Sequence, residues 1–302
     1  MLNNVIFKNA NNFKLESKSM KNRLYKVYKN VLAEILVLIN FLITKLPRGR
    51  FASSLGLQKI WDVTLKSKVN NKYLYFHIPN WLAFYRAKTL LTKEPETIAW
   101  LNKIRTKSVI YDIGSNVGMY SIYAAAVRDC KVISFEPSFL NLELLFRNVQ
   151  TNNLQDKITI VPLSLSNESQ IENFYMQEGD NIWGGAHNSS GSNISQDGTE
   201  MLNFKISSQL ALSLDALVEI FRIPKPDHIK IDIDGLESKV LKGGLKTFGN
   251  SKSILIEINA KNQDQSSEVQ AILTKLGFVK LICIGKIELM ENQIWVKPGW
   301  EQ

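Results

Sequence analysis

The sequence predicts an α/β fold: a doubly wound, mostly parallel sheet with a C-terminal antiparallel hairpin, preceded by a basic helical N-terminal extension. Three observations carry this. From Ser108 onward short β-branched runs alternate with amphipathic helical segments, the first run enters its helix through a glycine turn, and the last two apolar runs face each other across Gly285-Lys286. Alternating strand and helix demand crossover connections, and crossovers make neighbouring strands parallel. With 302 residues, 45% of them hydrophobic, the chain can bury such a sheet on both faces.

Residues 1–50 form the extension. Leu24, Val27, Val31, Ile35, Leu38 and Leu42 recur at helical spacing, and Pro47-Arg-Gly49 ends the run. Val31–Ile43, the most apolar stretch, has 13 residues interrupted by Glu34 and Asn40. That is short of the ~20 needed to span a bilayer. Residues 1–108 hold 20 Lys+Arg against 5 Asp+Glu, 10 against 2 of them in the extension, whereas residues 109–302 hold 17 against 23, so the basic excess lies entirely in the first third. Such a helix packs on the body or on a second copy in a homodimer, or it makes peripheral contact with an anionic membrane surface through residues 14–50. Plain solvated lysines are the bland alternative.

Residues 51–107 predict a hairpin, Val63–Val69 with Tyr73–Ile78 across Asn70-Asn71, and then a helical stretch to Lys107. The third region, 108–302, is the sheet domain. Its strands and helices are Ser108–Ile113, Tyr120–Val127, Val132–Glu136, Leu140–Thr151 and Ile158–Val161, then strands Ile171–Met176 and Met201–Ile206 flanking a Gly-, Asn- and Ser-rich interval at 177–199. That interval reads as a long mobile loop in which Trp183 and His187 close over a substrate. After it come strand His228–Ile233, helix Leu236–Phe248, strand Ser253–Ile258, helix Ser267–Leu276 and the hairpin Phe278–Ile284 with Ile287–Val296. Cys130 and Cys283 sit in apolar contexts without metal-ligand spacing and read as reduced core residues. With no secretory pattern at the N-terminus, the expected place is cytoplasmic, at the inner membrane face if the extension meets lipid.

The sharpest chemical signal is Val109-Ile-Tyr-Asp-Ile-Gly-Ser-Asn-Val-Gly118. Gly114 lets the backbone turn and approach a ligand, Gly118 lets the following helix start pack closely, and Asp112 at the strand end suits a cation such as the amino group of methionine. A nicotinamide site would want a third glycine, which is missing. Glu136 in Ile133-Ser-Phe-Glu-Pro137 closes the next strand, where an acid accepts hydrogen bonds from ribose hydroxyls. Pro162–Asn167 would hold an adenine edge. In Lys230-Ile-Asp-Ile-Asp-Gly-Leu-Glu237, alternation puts Asp232 and Asp234 on one face at a carboxyl end, with Glu257 and Asn259 closing the next strand. The aspartates would orient or take a substrate proton, or a divalent metal would sit between Asp232 and Glu257. A helix N-cap accounts for one aspartate without any function.

VIYDIGSNVG, FEP followed by NLELLFRNVQTNN, SLDAL at 213–217 and KIDIDGLESKVLKGG together resemble the FkbM methyltransferase family over residues 108–260. The resemblance implies a class I methyltransferase fold, S-adenosyl-L-methionine as donor, and O-methylation of a sugar, glycan or related polyhydroxylated molecule. It assigns Asp112, Gly114, Asn116 and Gly118 to the cofactor loop, Glu136 to the ribose and Asp232 to the reacting end. The family more often has Glu where Asp234 stands. Nucleic-acid methylation is the rival reading, prompted by the basic front. Against it, no Asn/Asp-Pro-Pro-Tyr/Phe string occurs and aromatic residues do not interleave with the lysines. A silent cofactor-binding, membrane-associated scaffold is the other.

Overall fold

The computed structural model describes residues 28, 30–179, 182–194, 198–259, 262–281 and 290–300. The chain divides between Trp61 and Asp62 into two compact units. In the first, helix α1 (30–44) passes through a turn at residues 45–48 into α2 (Gly49–Trp61). The turn is tight, because a Cβ on Gly49 would stand 1.7 Å from the Ile43 carbonyl oxygen. Ser53 donates to the Asn40 side-chain oxygen across the corner, and Thr44 Oγ1 returns to Phe41 O at 2.6 Å. The sequence predicts one apolar stripe on this helix. Instead Val31, Leu32, Ile35, Leu36, Val37, Leu38, Ile39, Phe41 and Leu42 are all exposed, so apolar side chains surround α1, interrupted by exposed Asn30 and Glu34. The predicted part before residue 28, including Leu24 and Val27, lies outside the described residues.

The second unit opens with the expected hairpin, β1 (Thr64–Val69) and β2 (Lys72–His77), turned at Asn70 with φ 53°. The helical stretch predicted to run to Lys107 is two helices, α3 (Trp81–Lys88) and α4 (Pro95–Lys103), because Pro95 lacks the N–H that would continue a helix and so starts one instead.

The main sheet follows. Its elements are β3 (Val109–Ile113), α5 (Met119–Val127), β4 (Lys131–Phe135), α6 (Phe139–Thr151), β5 (Ile158–Val161), β10 (His228–Ile231), β11 (Ser253–Asn259), β12 (Val279–Lys280) and β13 (Met290–Val296), in the order β12-β13-β11-β10-β3-β4-β5. Strands β11, β10, β3, β4 and β5 are parallel, and β13 runs antiparallel between β11 and β12. The turn Gly285-Lys286 and Cys283 lie outside the described residues. Alternation divides the core cleanly. Ile110, Val132 and Ile158 pack on one face with Ile122 and Leu145 of α5 and α6. Tyr111, Ile133, Ile229 and Ile231 pack on the other, with α7 (Leu214–Phe221), α8 (Glu237–Lys242), α9 (Leu245–Gly249) and α10 (Gln263–Lys275). The single helix predicted over 236–248 breaks at Gly243-Gly244, where a Cβ on Gly243 would stand 2.0 Å from the Ser166 carbonyl oxygen.

A second, four-stranded sheet, not foreseen as such, is ordered β6-β9-β7-β8 from β6 (Ser164–Ser166), β7 (Gln170–Gln177), β8 (Asn188–Ser190) and β9 (Phe204–Ser213). The interval read as a mobile loop therefore contributes a strand, and residues 182–188 are tied to the body at several points described below. Polar composition misled because its hydrogen bonds are satisfied by the protein rather than by water.

Candidate active site

The site forms where β3, β4 and β10 end together. At Gly114, φ 83°, the chain leaves β3 and passes so near β10 that a Cβ would stand 1.8 Å from the Asp232 carbonyl oxygen. Only glycine fits there. Gly114 and Ser115 both donate their backbone N–H to Phe135 O at 3.0 Å, which locks the loop to the end of β4. Asn116 takes a left-handed φ of 50°, and Gly118, φ 83°, opens α5 with Leu145 Cδ1 only 2.3 Å from where a Cβ would be. Gly118 thus serves packing, as its place in the motif predicts, and lies behind the cleft.

Glu136 is 5% exposed, immediately after β4. Its Oε2 accepts from Asn116 N at 2.8 Å and its Oε1 from Ser138 N at 2.9 Å. Burial pushes its pKa up to about 7 against the pull of these backbone donors. Asn141 Nδ2 donates to Oε1 as well, at 3.5 Å, and since a carboxylate has about four acceptor positions, one is left for a ligand hydroxyl. The cleft at this corner, about 610 Å³, is lined by Gly114, Asn116 and Glu136 on one side and by Phe135, Leu163 and Leu165 on the other. An acceptor for a ribose beside an apolar slot for a base, with a glycine loop at the edge, fits an adenosine moiety. The predicted adenine segment at 162–167 contributes through the short strand β6, not a loop.

Asp112 stands apart. Its side chain is 3% exposed, Oδ2 accepts from Ser121 Oγ at 2.5 Å, and Oδ1 is buried with no hydrogen bond. Register places Lys230 and Ser134 on either side of it. The cation it faces inside the sheet is therefore Lys230, whose charge opposes the rise in pKa that burial causes.

Strand β10 ends at Ile231, two residues earlier than the sequence predicts, and Asp234 sits in a turn with φ 51°. The two aspartates thus reach the cleft by a turn, not by strand alternation, yet both line it. Neither caps α8, whose N-cap is Leu236 with no side-chain cap bond. Lys230 Nζ, buried, donates to Asp232 Oδ2 at 2.7 Å, and Glu257 hydrogen-bonds Asp232 as well. Burial alone would raise the Asp232 pKa, but the Lys230 ammonium overrides it and holds the group below the usual carboxylate range. Glu257 is pushed well up, first by burial and then by the Asp232 charge, and so it carries the proton of the pair. Burial and the Asp232 charge also raise Asp234, whose Oδ2 accepts the His187 backbone N–H at 3.2 Å. The close carboxylates are reconciled by a lysine and a proton. Among the described residues no group of three His, Cys, Asp or Glu could hold a metal ion.

Four participants have roles that the sequence does not announce: Lys230 and Asn141 lie within quoted motifs without a role there, and Arg86 and Glu94 lie outside them. Lys230 reads as an ordinary strand residue until its partner is known. Asn141 Nδ2 and Asn116 Nδ2 both donate to Gly185 O, at 3.0 and 2.8 Å, and Arg86 Nε donates to Gly184 O at 2.7 Å, so that Gly185 and Ala186 are held against the cleft. Trp183 instead packs on the core, with its indole N–H on Glu143 Oε2 at 2.9 Å. Glu94, 2% exposed, pairs with Lys93 at 2.7 Å and accepts from the Tyr120 hydroxyl.

Comparison with known proteins agrees with this arrangement. A methyltransferase FkbM domain matches residues 112–280. The chain is 25% identical over 160 residues to a hexuronic acid methyltransferase, AglP, of Haloferax volcanii, covering 53% of this chain and 59% of that relative. It thus spans under two thirds of that relative's length. Among solved structures it resembles a precorrin-6y C5,15-methyltransferase of Geobacter metallireducens, with 15% identity and a TM-score of 0.42 over 70% of this chain and 91% of that one. It also resembles TrmK of M. capricolum in complex with S-adenosyl-homocysteine, with 13% identity and a TM-score of 0.40 over 68% of each chain. With its glycine loop, its strand-end acid and more than half its length within the matched domain, the chain belongs to the FkbM methyltransferase family.

Proposed function

We propose that the enzyme methylates a hydroxyl oxygen of a sugar, glycan or related polyhydroxylated molecule, with Asp232 orienting that hydroxyl and receiving its proton. One observation carries the reading: a carboxylate held ionised by buried Lys230 stands at the mouth of the cleft, beside the glycine loop. The donor supplies an electrophilic methyl on a positively charged sulfur. As the oxygen–carbon bond forms and the carbon–sulfur bond breaks, positive charge grows on the acceptor oxygen and its proton becomes strongly acidic. A carboxylate of low proton affinity then suffices, and its main task is to hold the oxygen in line, within about 3–3.5 Å of the methyl. Lys230 keeps Asp232 ionised, and Glu257 fixes its orientation. A sugar acceptor is supported by the relative that acts on a hexuronic acid. Incubating the protein with methyl-labelled donor and a panel of neutral and acidic saccharides tests it. With RNA and DNA included in parallel, label in a saccharide as a base-stable ether supports the reading, and label only in nucleic acid overturns it.

We also infer that the first unit contacts an anionic lipid surface peripherally. Among the described residues no helix is long and apolar enough to cross a membrane. Yet α1 exposes apolar side chains on every side, its Asn40 and Thr44 are satisfied within the unit, and Lys45, Arg48 and Arg50 follow it. A helix too short to span, exposing this much apolar surface with Glu34 as its one acid and followed by three basic residues, suits the surface of an acidic bilayer.

A further inference from the structure

Beside the cofactor cleft lies a second hollow of about 400 Å³, which shares Gly114, Asn116 and Asp232 with the first and extends to Arg86, Lys93 and Tyr120. Its charges can be accounted for one by one. Lys230 is matched by Asp232 at 2.7 Å, and Lys93 by Glu94 at 2.7 Å. Arg86, half-buried on α3, has no carboxylate within ion-pair distance among the described residues. Glu136 and Asp234 feel its charge at longer range without pairing with it. Its Nε is committed to Gly184 O at 2.7 Å, which fixes the plane of the guanidinium and leaves the two terminal nitrogens unengaged by any described residue. A guanidinium held at one edge offers its remaining donors as a rigid fork, the geometry that matches a carboxylate. Segment α3 also lies outside residues 112–280, so nothing in the family match assigns it a role.

We propose that Arg86 is a carboxylate-binding residue of this site, taking the anionic end of a ligand that reaches the hollow past Gly114 and Asp232. The inference rests on the cleft being the donor site. Two ligands bring a carboxylate there: the donor itself, through its amino-acid tail, and an acidic sugar acceptor.

The test uses the full chain and Arg86→Gln, which keeps a side-chain donor for Gly184 O and removes the charge. S-adenosylhomocysteine and 5′-methylthioadenosine, which has the same nucleoside but no amino-acid tail, are titrated into both proteins by calorimetry. Loss of about tenfold or more for S-adenosylhomocysteine, with methylthioadenosine nearly unchanged, supports the proposal and identifies the donor tail as the source. If both nucleosides bind as in the parent, glucuronate and glucose are titrated into the S-adenosylhomocysteine-saturated proteins. Glucuronate binding that exceeds glucose binding in the parent and is lost in the variant supports the proposal with the acceptor as source. An equal loss for both nucleosides reduces Arg86 to a support for Gly184 and overturns it, as does no selective change in any titration. Should the parent bind neither nucleoside, the donor-site reading itself fails, and this inference with it. Arg86→Lys, which restores charge without the fork, is expected to recover only part of the selective loss.

Discussion

Glu136 shows how one buried side chain ties fold, pH and ligand together. Its pKa of about 7 means that the folded chain holds a proton there which the unfolded chain gives up near 4.5. That contribution to stability is complete below the unfolded value and is lost as pH rises through about 7. Ribose hydroxyls, however, donate to the ionised form. Donor affinity should therefore rise between about pH 6 and pH 8 and then level off, and Glu136→Gln should flatten the profile. A parent profile without slope, measured by titration calorimetry, would show that Glu136 does not meet the ligand. Asp232→Asn tests the reacting end. Cofactor affinity should stay within about threefold, while turnover falls by roughly 100-fold or more, because the acceptor loses its proton sink and Lys230 its counter-charge. Turnover at the parent rate would remove Asp232 from the chemistry. Since Lys230 and the protonated Glu257 already balance this carboxylate, turnover should be indifferent to a chelator, and activity lost to a chelator and restored by magnesium would contradict that balance. At this scale Glu136 and Asp232 were legible from their places at strand ends. Lys230, Glu94 and Arg86 were not, because each gains its meaning from a partner that only the fold brings near.

Elements carry the next set of consequences. The turn after β3 admits nothing larger than glycine, with a positive φ and the Asp232 carbonyl oxygen 1.8 Å from a would-be Cβ. Gly114→Ala should cost at least about 1–3 kcal/mol of stability in chemical denaturation and abolish donor binding, since relief requires pushing β10 and the loop apart. An alanine variant of parent stability and affinity would refute this account of the loop. Strand and helix limits were read well wherever an apolar run stood between turn signals, as for β3, α6 and β5. The sequence makes β10 two residues too long because alternation continues through Asp232 and Ile233, while strand pairing ends at Ile231 and the chain goes on to turn at Asp234. In the first unit, exposed α1 makes a separate prediction: the full chain should sediment with vesicles rich in anionic lipid at low salt and be released as salt rises, and Leu38→Glu should abolish sedimentation. Protein that stays in the supernatant at low salt contradicts the membrane reading, and a second copy of the chain becomes the alternative cover for α1.

At the level of the whole molecule, the alternating apolar runs made the parallel sheet and its antiparallel edge readable, because burial on both faces leaves little freedom in composition. The four-stranded second sheet was readable only in part: the apolar runs at Ile171–Met176 and Met201–Ile206 mark β7 and the start of β9, which runs on to Ser213, whereas β6 and β8 are short, and Asn188–Ser190 pairs with β7 through backbone bonds that leave no hydrophobic period. That sheet nevertheless supplies Phe174, Asn188 and Ser190 to the cleft that Glu136 lines, so the cleft is built from both sheets together. The central claim is that this junction is where the methyl donor binds. Calorimetric titration of S-adenosylhomocysteine into the parent and Glu136→Ala proteins tests it most directly. The account predicts one site per chain in the parent and an affinity weaker by about 1–3 kcal/mol in the variant, through a lost ribose hydrogen bond. Equal dissociation constants in the two proteins, or binding of NAD in place of S-adenosylhomocysteine, would contradict it.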